Sequence, residues 1–504
     1  MPYHRPRQFR MNTAISVVVR TLTLAIVCTN DFSSGCSASA PNLLLILADD
    51  MGYGDLGCQG SRMLRTPHLD RLADDGVRCS QAYVVSSVCS PSRAGLMTGR
   101  DPRRFGYEGN LNQSAGAYAT RPDLLGLPPG ESTLADHLRP GGYATGLVGK
   151  WHLGTGEGFH PNDRGFDHFC GMLGGSHSYW PLQGPNRIER NGVAVTEFSS
   201  EYLTDFFTDE GIRFIEDQNN KDAQRPWLLF MSYNAPHTPM HAKEDDLSRF
   251  THISDAKRRT YAAMVHALDR GVGRLRETLR QCNELENTLI VFFSDNGGAT
   301  NNGSWNGPLR GVKGTLREGG VRVPMIWAWP NRLPSSQTSE QPMSSLDVLP
   351  TFLAAADAEP LPLAKPRSYE DVRNRRRMVN FSGAYDGLNL LPLLTGKAVG
   401  VERRFFWRLQ GQAAVLDGRD KLIRLSHRPA EMFRPAEDPG ESVNLRSDSA
   451  ERFEQLFDLL GQWESMLATV PLWGSSPYWV GESAEQYDGW APRKEPETSQ
   501  VAAP

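Results

Sequence analysis

Cys89 opens the stretch Cys89-Ser90-Pro91-Ser92-Arg93-Ala94-Gly95-Leu96-Met97-Thr98-Gly99-Arg100, which reads as the start of a helix. Ser90 is a suitable cap, Pro91 suits the first helical position, and Gly99 is a suitable stop. A nucleophile-type side chain beside a helix start shares its surroundings with free amides and the positive dipole end, so an anion held next to Cys89 meets a favourable field. Arg93 adds a fixed cation. Two carboxylates, Asp49 and Asp50, follow the apolar run Asn42 to Leu47, and adjacent carboxylates repel each other unless a cation joins them. Asp295 and Asn296 follow the apolar run Thr288 to Phe293 and offer oxygen donors of the kind a hard divalent cation selects. Lys150 and His152 end the segment Gly142 to Gly154. His237 lies between Pro236 and Pro239, which restrict that segment to extended geometry and keep the ring out of a helix. Lys313 is followed by Gly314 and later by Gly319 and Gly320, which permit close backbone approach.

The elements that must position these groups are short, continuous apolar runs, as expected of strands buried on both faces of a largely parallel sheet. Ligands in open α/β sheets sit at the carboxyl ends of the strands, which is where each polar group falls. Helical patterns are expected from Thr66 to Gly76, over Leu134 to Leu138, from Arg259 to Leu279 and from Ser345 to Leu353, with His266 and Asp269 as packing and surface residues. Strands are also expected near Val77 to Val85, Pro226 to Tyr233 and Val323 to Trp329. From Arg403 the runs shorten and alternate (404–408, 413–416, 421–425), predicting an antiparallel sheet with a helix from Glu451 to Leu467 packed on it. The organisation expected is a leader over 1–40, a catalytic α/β domain over 41–396, and a smaller α+β subdomain with an irregular tail over 397–504.

The chain has 504 residues and a formal net charge of −4, with basic and acidic residues interspersed. No basic footprint for nucleic acid or an anionic membrane is present, so a negative substrate must be held by local cations. Arg5, Arg7 and Arg10 precede apolar runs that end near Ala38-Ser39-Ala40, the pattern of an export signal, which predicts a periplasmic or secreted protein. Ser33-Ser34-Gly35-Cys36 is similar to a lipoprotein box without its leucine, so lipid anchoring at Cys36 is the weaker alternative. No later run reaches the roughly twenty apolar residues of a membrane span. Of the 7 cysteines, Cys28 and Cys36 lie in the leader, and the widely spaced remainder form no disulfide framework or paired metal motif.

Cys89, Pro91 and Arg93, followed by a hydrophobic residue and Thr98-Gly99, resemble the signature of the type I sulfatases. The segment ending in Lys150-Trp151-His152 resembles that family's second signature, and Gly165-Phe166-Asp167-His168-Phe169 and His177 also look like family features. The resemblance runs from Pro41 to about Leu445, and the chain is similar to the arylsulfatase A and N-acetylgalactosamine-6-sulfatase branch. It implies an alkaline-phosphatase-like fold, a large mixed sheet sandwiched by helices with a smaller C-terminal sheet and helix. It further implies that Cys89 is oxidised to formylglycine by a formylglycine-generating or anaerobic sulfatase-maturing enzyme. A Ca2+ ion, ahead of Mg2+, would be held by Asp49, Asp50, Asp295, Asn296 and residue 89. Arg93, Lys150 and Lys313 would neutralise the sulfate oxygens, because a sulfate ester's negative head repels an incoming anion. His152 would be the base near the aldehyde hydrate, His237 or Lys313 would protonate the leaving oxygen, and His177 would touch substrate. The expected reaction is hydrolysis of a sulfated carbohydrate or aryl sulfate. The alternatives are a phosphonate monoester or phosphodiester hydrolase of the same superfamily, and a non-catalytic carbohydrate-binding relative.

Overall fold

In the computed structural model, which describes residues 40–111, 125–183, 187–362, 385–426 and 428–467, the apolar runs become strands of one mixed sheet. In chain order these are β1 (Asn42–Ala48), β2 (Gly76–Tyr83), β3 (Ala144–Lys150), β4 (His168–Met172), β5 (Glu189–Arg190), β6 (Val193–Ala194), β7 (Trp227–Ser232), β8 (Thr288–Ser294), β9 (Arg322–Ala328), β10 (Gln337–Ser339) and β11 (Met343–Ser344). The 11-stranded sheet runs β10-β2-β9-β8-β1-β7-β3-β4-β5-β6, with β11 also on β2. Strands β8, β1, β7, β3 and β4 are parallel to one another. Strand β9 is antiparallel to both β8 and β2, so β2 points the same way as the central strands. The carboxyl ends of β1, β2, β3, β7 and β8 therefore share one rim. Register sharpens this: Ala48 pairs with Ser294, while Ser232 pairs with both Leu47 and Gly149.

Side chains alternate across β1 into two separate cores. Leu44 and Ile46 pack with helices α1 (Pro67–Asp74), α3 (Leu203–Asp222) and α4 (Ala256–Gln281), while Leu43, Leu45 and Leu47 pack with α2 (Cys89–Thr98) and α5 (Val348–Ala356). Burial of each such aliphatic side chain is worth roughly 1.5–3 kcal/mol. A strand covered on both faces cannot slip by one residue without exchanging its two apolar sets, which fixes the register that aligns the rim.

The C-terminal strands β12 (Arg404–Leu409), β13 (Gln412–Asp417), β14 (Asp420–Leu425) and β15 (Glu431–Phe433) form a second sheet, antiparallel throughout. One face carries α6 (Ala450–Ser465) through Phe453, Leu456, Leu460 and Trp463. The other face packs Phe405, Trp407 and Leu409 against Tyr83, Val88, Leu316 and Val321, and Trp407 Nε1 donates to Val84 O at 2.8 Å. The described residues all fall within one compact unit.

Local details depart from the sequence reading. Helix α2 begins at Cys89 itself, with Val88 in the capping position, so Ser90 is not the cap and Pro91 lies inside the first turn. The Ser90 hydroxyl instead meets Tyr107 Oη at 2.5 Å and donates to His152 O at 2.7 Å. Helix α4 is longer than expected because Asp255 caps it, accepting from Arg258 N. Asp269, expected at the surface, is fully buried on α4 and accepts from the backbone N–H groups of His68 and Leu69 at 3.1 and 2.8 Å. It thereby satisfies the open start of α1, where Thr66 makes no side-chain cap. Asp269→Ala is expected to cost about 1–2 kcal/mol in urea unfolding, and Asp269→Asn clearly less. Equal losses in the two variants would show that the carboxylate charge, which Asn lacks, is what the site requires, and no loss in Asp269→Ala would remove the capping role.

The cysteines among the described residues, Cys58, Cys79, Cys89, Cys170 and Cys282, are all free thiols. The leader and the Arg-rich segment at 373–377 lie outside the described residues. Among the described residues, no helix is long and apolar enough to cross a membrane.

Candidate active site

The rim gathers groups that are far apart in sequence. Asp49 N donates to Ala235 O and Asp295 N to Ala48 O, both at 3.0 Å, so backbone pairing of β1 with its neighbours continues one residue past the strand ends. Asp50 then turns through a left-handed conformation with φ 66°, and its N–H donates to Asp295 Oδ1 at 3.3 Å. Cys89, at the first position of the ten-residue α2, puts Sγ 3.6 Å from Asp49 Oδ1 and 4.0 Å from Asp50 Oδ1.

Arg93 follows one helical turn after Cys89 and is fully buried. Its Nε and Nη2 both lie 2.9 Å from Asp295 Oδ2, and its Nη1 donates to Ser232 Oγ at 2.6 Å and Lys150 O at 3.1 Å. Lys150 Nζ donates to Asp49 Oδ2 at 2.5 Å. Lys313 Nζ lies 2.7 Å from Asp50 Oδ1 and 3.1 Å from Cys89 Sγ. His237 Nδ1 is 2.6 Å from Thr238 O; a carbonyl can only accept, so Nδ1 carries the proton and the Nε2 lone pair faces Asp50 Oδ2, 3.6 Å away. His152, at φ 60°, has a buried Nδ1 with no hydrogen-bond partner among the described residues.

The electrostatics follow from packing opposite charges out of water. Burial alone would raise Asp49, but the cations of Lys150, Arg93 and Lys313 hold it well below the usual carboxylate range. Asp295 is raised, by burial first and by the neighbouring Asp49 second, with Arg93 opposing. Burial works against the charge on Lys313 as well, yet Asp50 and Cys89 keep its ammonium well above its ordinary value. Both histidines are lowered by burial and are neutral bases. The Cys89 thiol is pushed up to about 12 by burial despite Lys150 and Lys313. Unaltered, it is a protonated and therefore weak nucleophile at neutral pH.

The donor set fits a hard divalent cation. Asp49, Asp50, Cys89 and His237 each offer a ligand atom, all within 4.8 Å of one another. Asn296 Nδ2 donates to Asp50 Oδ1 at 2.7 Å, while its Oδ1 is buried and finds no hydrogen-bond donor among the described residues. A buried amide oxygen left without a donor costs about 1–3 kcal/mol, and a cation would satisfy it. Three carboxylates (Asp49, Asp50, Asp295) already balance three cations (Arg93, Lys150, Lys313), so a divalent ion would leave the cavity net positive toward an anion.

His177 is buried, with Nδ1 at 2.6 Å from Ser178 O. Two residues on, the Tyr179 hydroxyl lies 2.7 Å from Asn234 O and 2.9 Å from His237 O, which ties the two histidine segments together. Sequence reasoning missed Ser232, whose hydroxyl joins Arg93 to Lys150 O (2.6 Å); the available signal was a lone polar residue at the end of a buried strand. It also gave Asp55 no role. Asp55 Oδ2 accepts from Tyr261 Oη at 2.6 Å and from Trp305 N at 2.9 Å, and Oδ1 from Arg258 at 2.6 Å, which fastens the loop after β1 to α4.

A model of the family described as Sulfatase matches residues 41–358, more than half of the chain. The chain belongs to the sulfatase family. This sulfatase is 34% identical over 399 residues to N-acetylgalactosamine-6-sulfatase of Canis lupus familiaris, covering 76% of this chain and 71% of the relative. It is 33% identical over 482 residues to human (Homo sapiens) arylsulfatase A, covering 86% and 89%. Its fold is similar to the crystal structure of Ps i-CgsB in complex with k-i-k-neocarrahexaose, with a TM-score of 0.77, 34% identity, and 90% and 98% of the two chains covered. The sulfatase has the alkaline-phosphatase-like architecture, and sulfate esters are its substrate class.

Proposed function

We propose that this sulfatase removes sulfate from a sulfated carbohydrate or an aryl sulfate, using Cys89 oxidised to formylglycine and a Ca2+ ion. The observation that carries the reading is the position of Cys89: its side chain lies 3.1 Å from Lys313 Nζ and within 4.0 Å of Asp49 and Asp50, at the head of a ten-residue helix. Once converted, residue 89 would supply, as its hydrate, a hydroxyl nucleophile for sulfur and a second hydroxyl for release of the sulfate. Asp49, Asp50, Asp295, Asn296 and residue 89 would hold a calcium ion, which would supply positive charge toward the sulfate oxygens.

The chain's own residues do the rest. Lys150 and Lys313 bind and orient the anionic head, and the Arg93 guanidinium fixes Asp295 and the Lys150 backbone. His152, neutral and buried, holds the proton released at the hydrate through its unpartnered Nδ1. Lys313, whose ammonium is charged, delivers a proton to the departing alcohol oxygen; His237 takes that part only after it has gained a proton at Nε2. His177 would touch the remainder of the substrate. A carbohydrate is favoured by the names of the similar proteins, N-acetylgalactosamine-6-sulfatase and the neocarrahexaose complex. The maturing enzyme and the export signal complete the reading: a protein oxidised at Cys89 and sent to the periplasm or outside the cell.

Peptide mass spectrometry across Cys89, on protein made in a host with the maturing enzyme, is expected to show thiol-to-aldehyde conversion. An unconverted cysteine in protein that still releases sulfate would overturn the nucleophile assignment. Exhaustive chelation is expected to lower kcat on an aryl sulfate at least about 100-fold, with Ca2+ restoring more activity than Mg2+. Full activity after chelation would remove the cation from the reading.

A further inference from the structure

Lys313 is carried on an irregular segment between β8 and β9, held by Ser87 and Gly298 and also by residues 98 to 131 positions later in the chain. Gln412, the first residue of β13, is buried, and its Nε2 donates to the carbonyl of Gly314 at 2.9 Å. The N–H of the same Gly314 donates to Ser87 O at 2.9 Å, two residues before Cys89. Gly314 adopts φ 84°, a conformation open chiefly to glycine, and the two peptides that meet at its Cα are each held by one bond, the Lys313–Gly314 peptide to Ser87 and the Gly314–Thr315 peptide to Gln412. The segment's ends are tied to the same region: Arg310 Nη1 donates to Glu441 O at 3.0 Å, and Glu318 N donates to Glu441 Oε2 at 2.9 Å. Lys421 of β14 completes the clamp, fully buried with Nζ 2.7 Å from Glu318 Oε1 and 3.2 Å from Glu441 Oε1.

Lys313 needs such support. Its ammonium sits at the end of a long, flexible stem and must meet both Asp50 and residue 89 at once, and a lysine's point charge imposes no geometry of its own. We infer that Gln412 is a positioning residue for Lys313, and that the four-stranded sheet is part of the catalytic apparatus through the Gln412–Gly314 bond. The inference rests on the role given to Lys313 under the proposed function. Loss of the bond frees the Gly314–Thr315 peptide to rotate, which shifts the Gly314 Cα it shares with the Lys313–Gly314 peptide and moves the lysine off the sulfate position, and misplacement of about 1 Å can cost up to about 100-fold.

The test is a double-mutant cycle on the converted, full-length enzyme, with kcat/KM on an aryl sulfate and the thermal midpoint read together. Gln412→Leu is expected to lower kcat/KM about tenfold or more, and Lys313→Met about 100-fold or more. The double variant should be no worse than Lys313→Met alone, because residues acting through one another are non-additive. Arg424→Ala, on β14 of the same sheet, breaks a 2.7 Å contact to Glu464 of α6 and no hydrogen bond to the Lys313 segment among the described residues, and should keep wild-type kcat/KM even if its midpoint falls. Should Gln412→Leu fail to fold, Gln412→Met, straighter and of similar volume, takes its place in the cycle. Multiplicative losses in the double variant, wild-type activity in the Gln412 variants, or an equal loss in Arg424→Ala would overturn the positioning role. Wild-type activity in Lys313→Met would instead remove the role of Lys313 itself.

Discussion

Cys89→Ala is expected to lower kcat on an aryl sulfate by about four orders of magnitude or more, in line with the loss of any covalent nucleophile whose partners act as a unit. The structure makes this a clean experiment. The side chain is small, buried and free of any disulfide, so its truncation should shift unfolding stability by no more than about 1 kcal/mol. The remaining cations and carboxylates stay in place, and the variant should still bind an anionic sulfate ester. Protein made without the maturing enzyme should resemble the variant, because a buried thiol pushed up to about 12 is not ionised at neutral pH. Sulfate release by Cys89→Ala within about tenfold of the wild type would mean that another group attacks sulfur. Undiminished sugar binding by Cys89→Ala, with no turnover of any ester by converted wild type, would favour the non-catalytic alternative. Parallel assays on aryl sulfate and phosphodiester substrates separate a sulfatase from the phosphonate or phosphodiester hydrolase reading.

Arg93→Ala carries the second large effect, and here stability and catalysis fall together. The guanidinium is buried and serves Asp295, Ser232 and Lys150 O at once. Removing it leaves Asp295 and Asp49 short of a cation in a region from which water is excluded. Breaking a buried ion pair in this one-sided way costs about 3–5 kcal/mol. Arg93→Lys should recover part of the charge but not the fork, since one ammonium cannot donate to Asp295, Ser232 and the Lys150 carbonyl together. Its kcat is expected about 100-fold down or lower. Denaturant unfolding of the three proteins, with and without Ca2+, checks the prediction. Added Ca2+ should stabilise Arg93→Ala more than the wild type, because the cation offsets the unpaired carboxylates. Unfolding free energies within about 0.5 kcal/mol of one another would show that Arg93 is not what balances Asp295.

The catalytic half of the fold was legible because its strands are written as unbroken apolar runs. Asn42 to Leu47, Thr288 to Phe293 and Pro226 to Tyr233 each demand burial on two faces, and a parallel sheet with helices on both sides supplies it. The alternating runs after Arg403 likewise declared an antiparallel sheet. Boundaries were less visible. The start of α2 slipped by a residue or more because Ser90 has a use the local pattern does not reveal, a bond to the carbonyl of His152 more than sixty residues away. Asp269 was misplaced for the same kind of reason: period alone puts a carboxylate outside, while the open start of α1 draws it inward.

Residue type and position at the ends of apolar runs pointed to Asp49, Asp50, Asp295 and Asn296, and the helix start to Cys89 and Arg93, whereas Lys150, His152, His237 and Lys313 were nominated by the resemblance to the sulfatase signatures. What the sequence could not decide was which of them touch, and what holds them. Ser232, Asp55 and Gln412 are polar residues of ordinary type, set apart only by partners that the tertiary structure brings within hydrogen-bond distance. The physical reason is one of range. Hydrophobic period and turn chemistry are short-range and are read from neighbouring residues, whereas the satisfaction of a buried charge or carbonyl depends on whichever donor the packed sheets deliver, across separations of up to hundreds of residues.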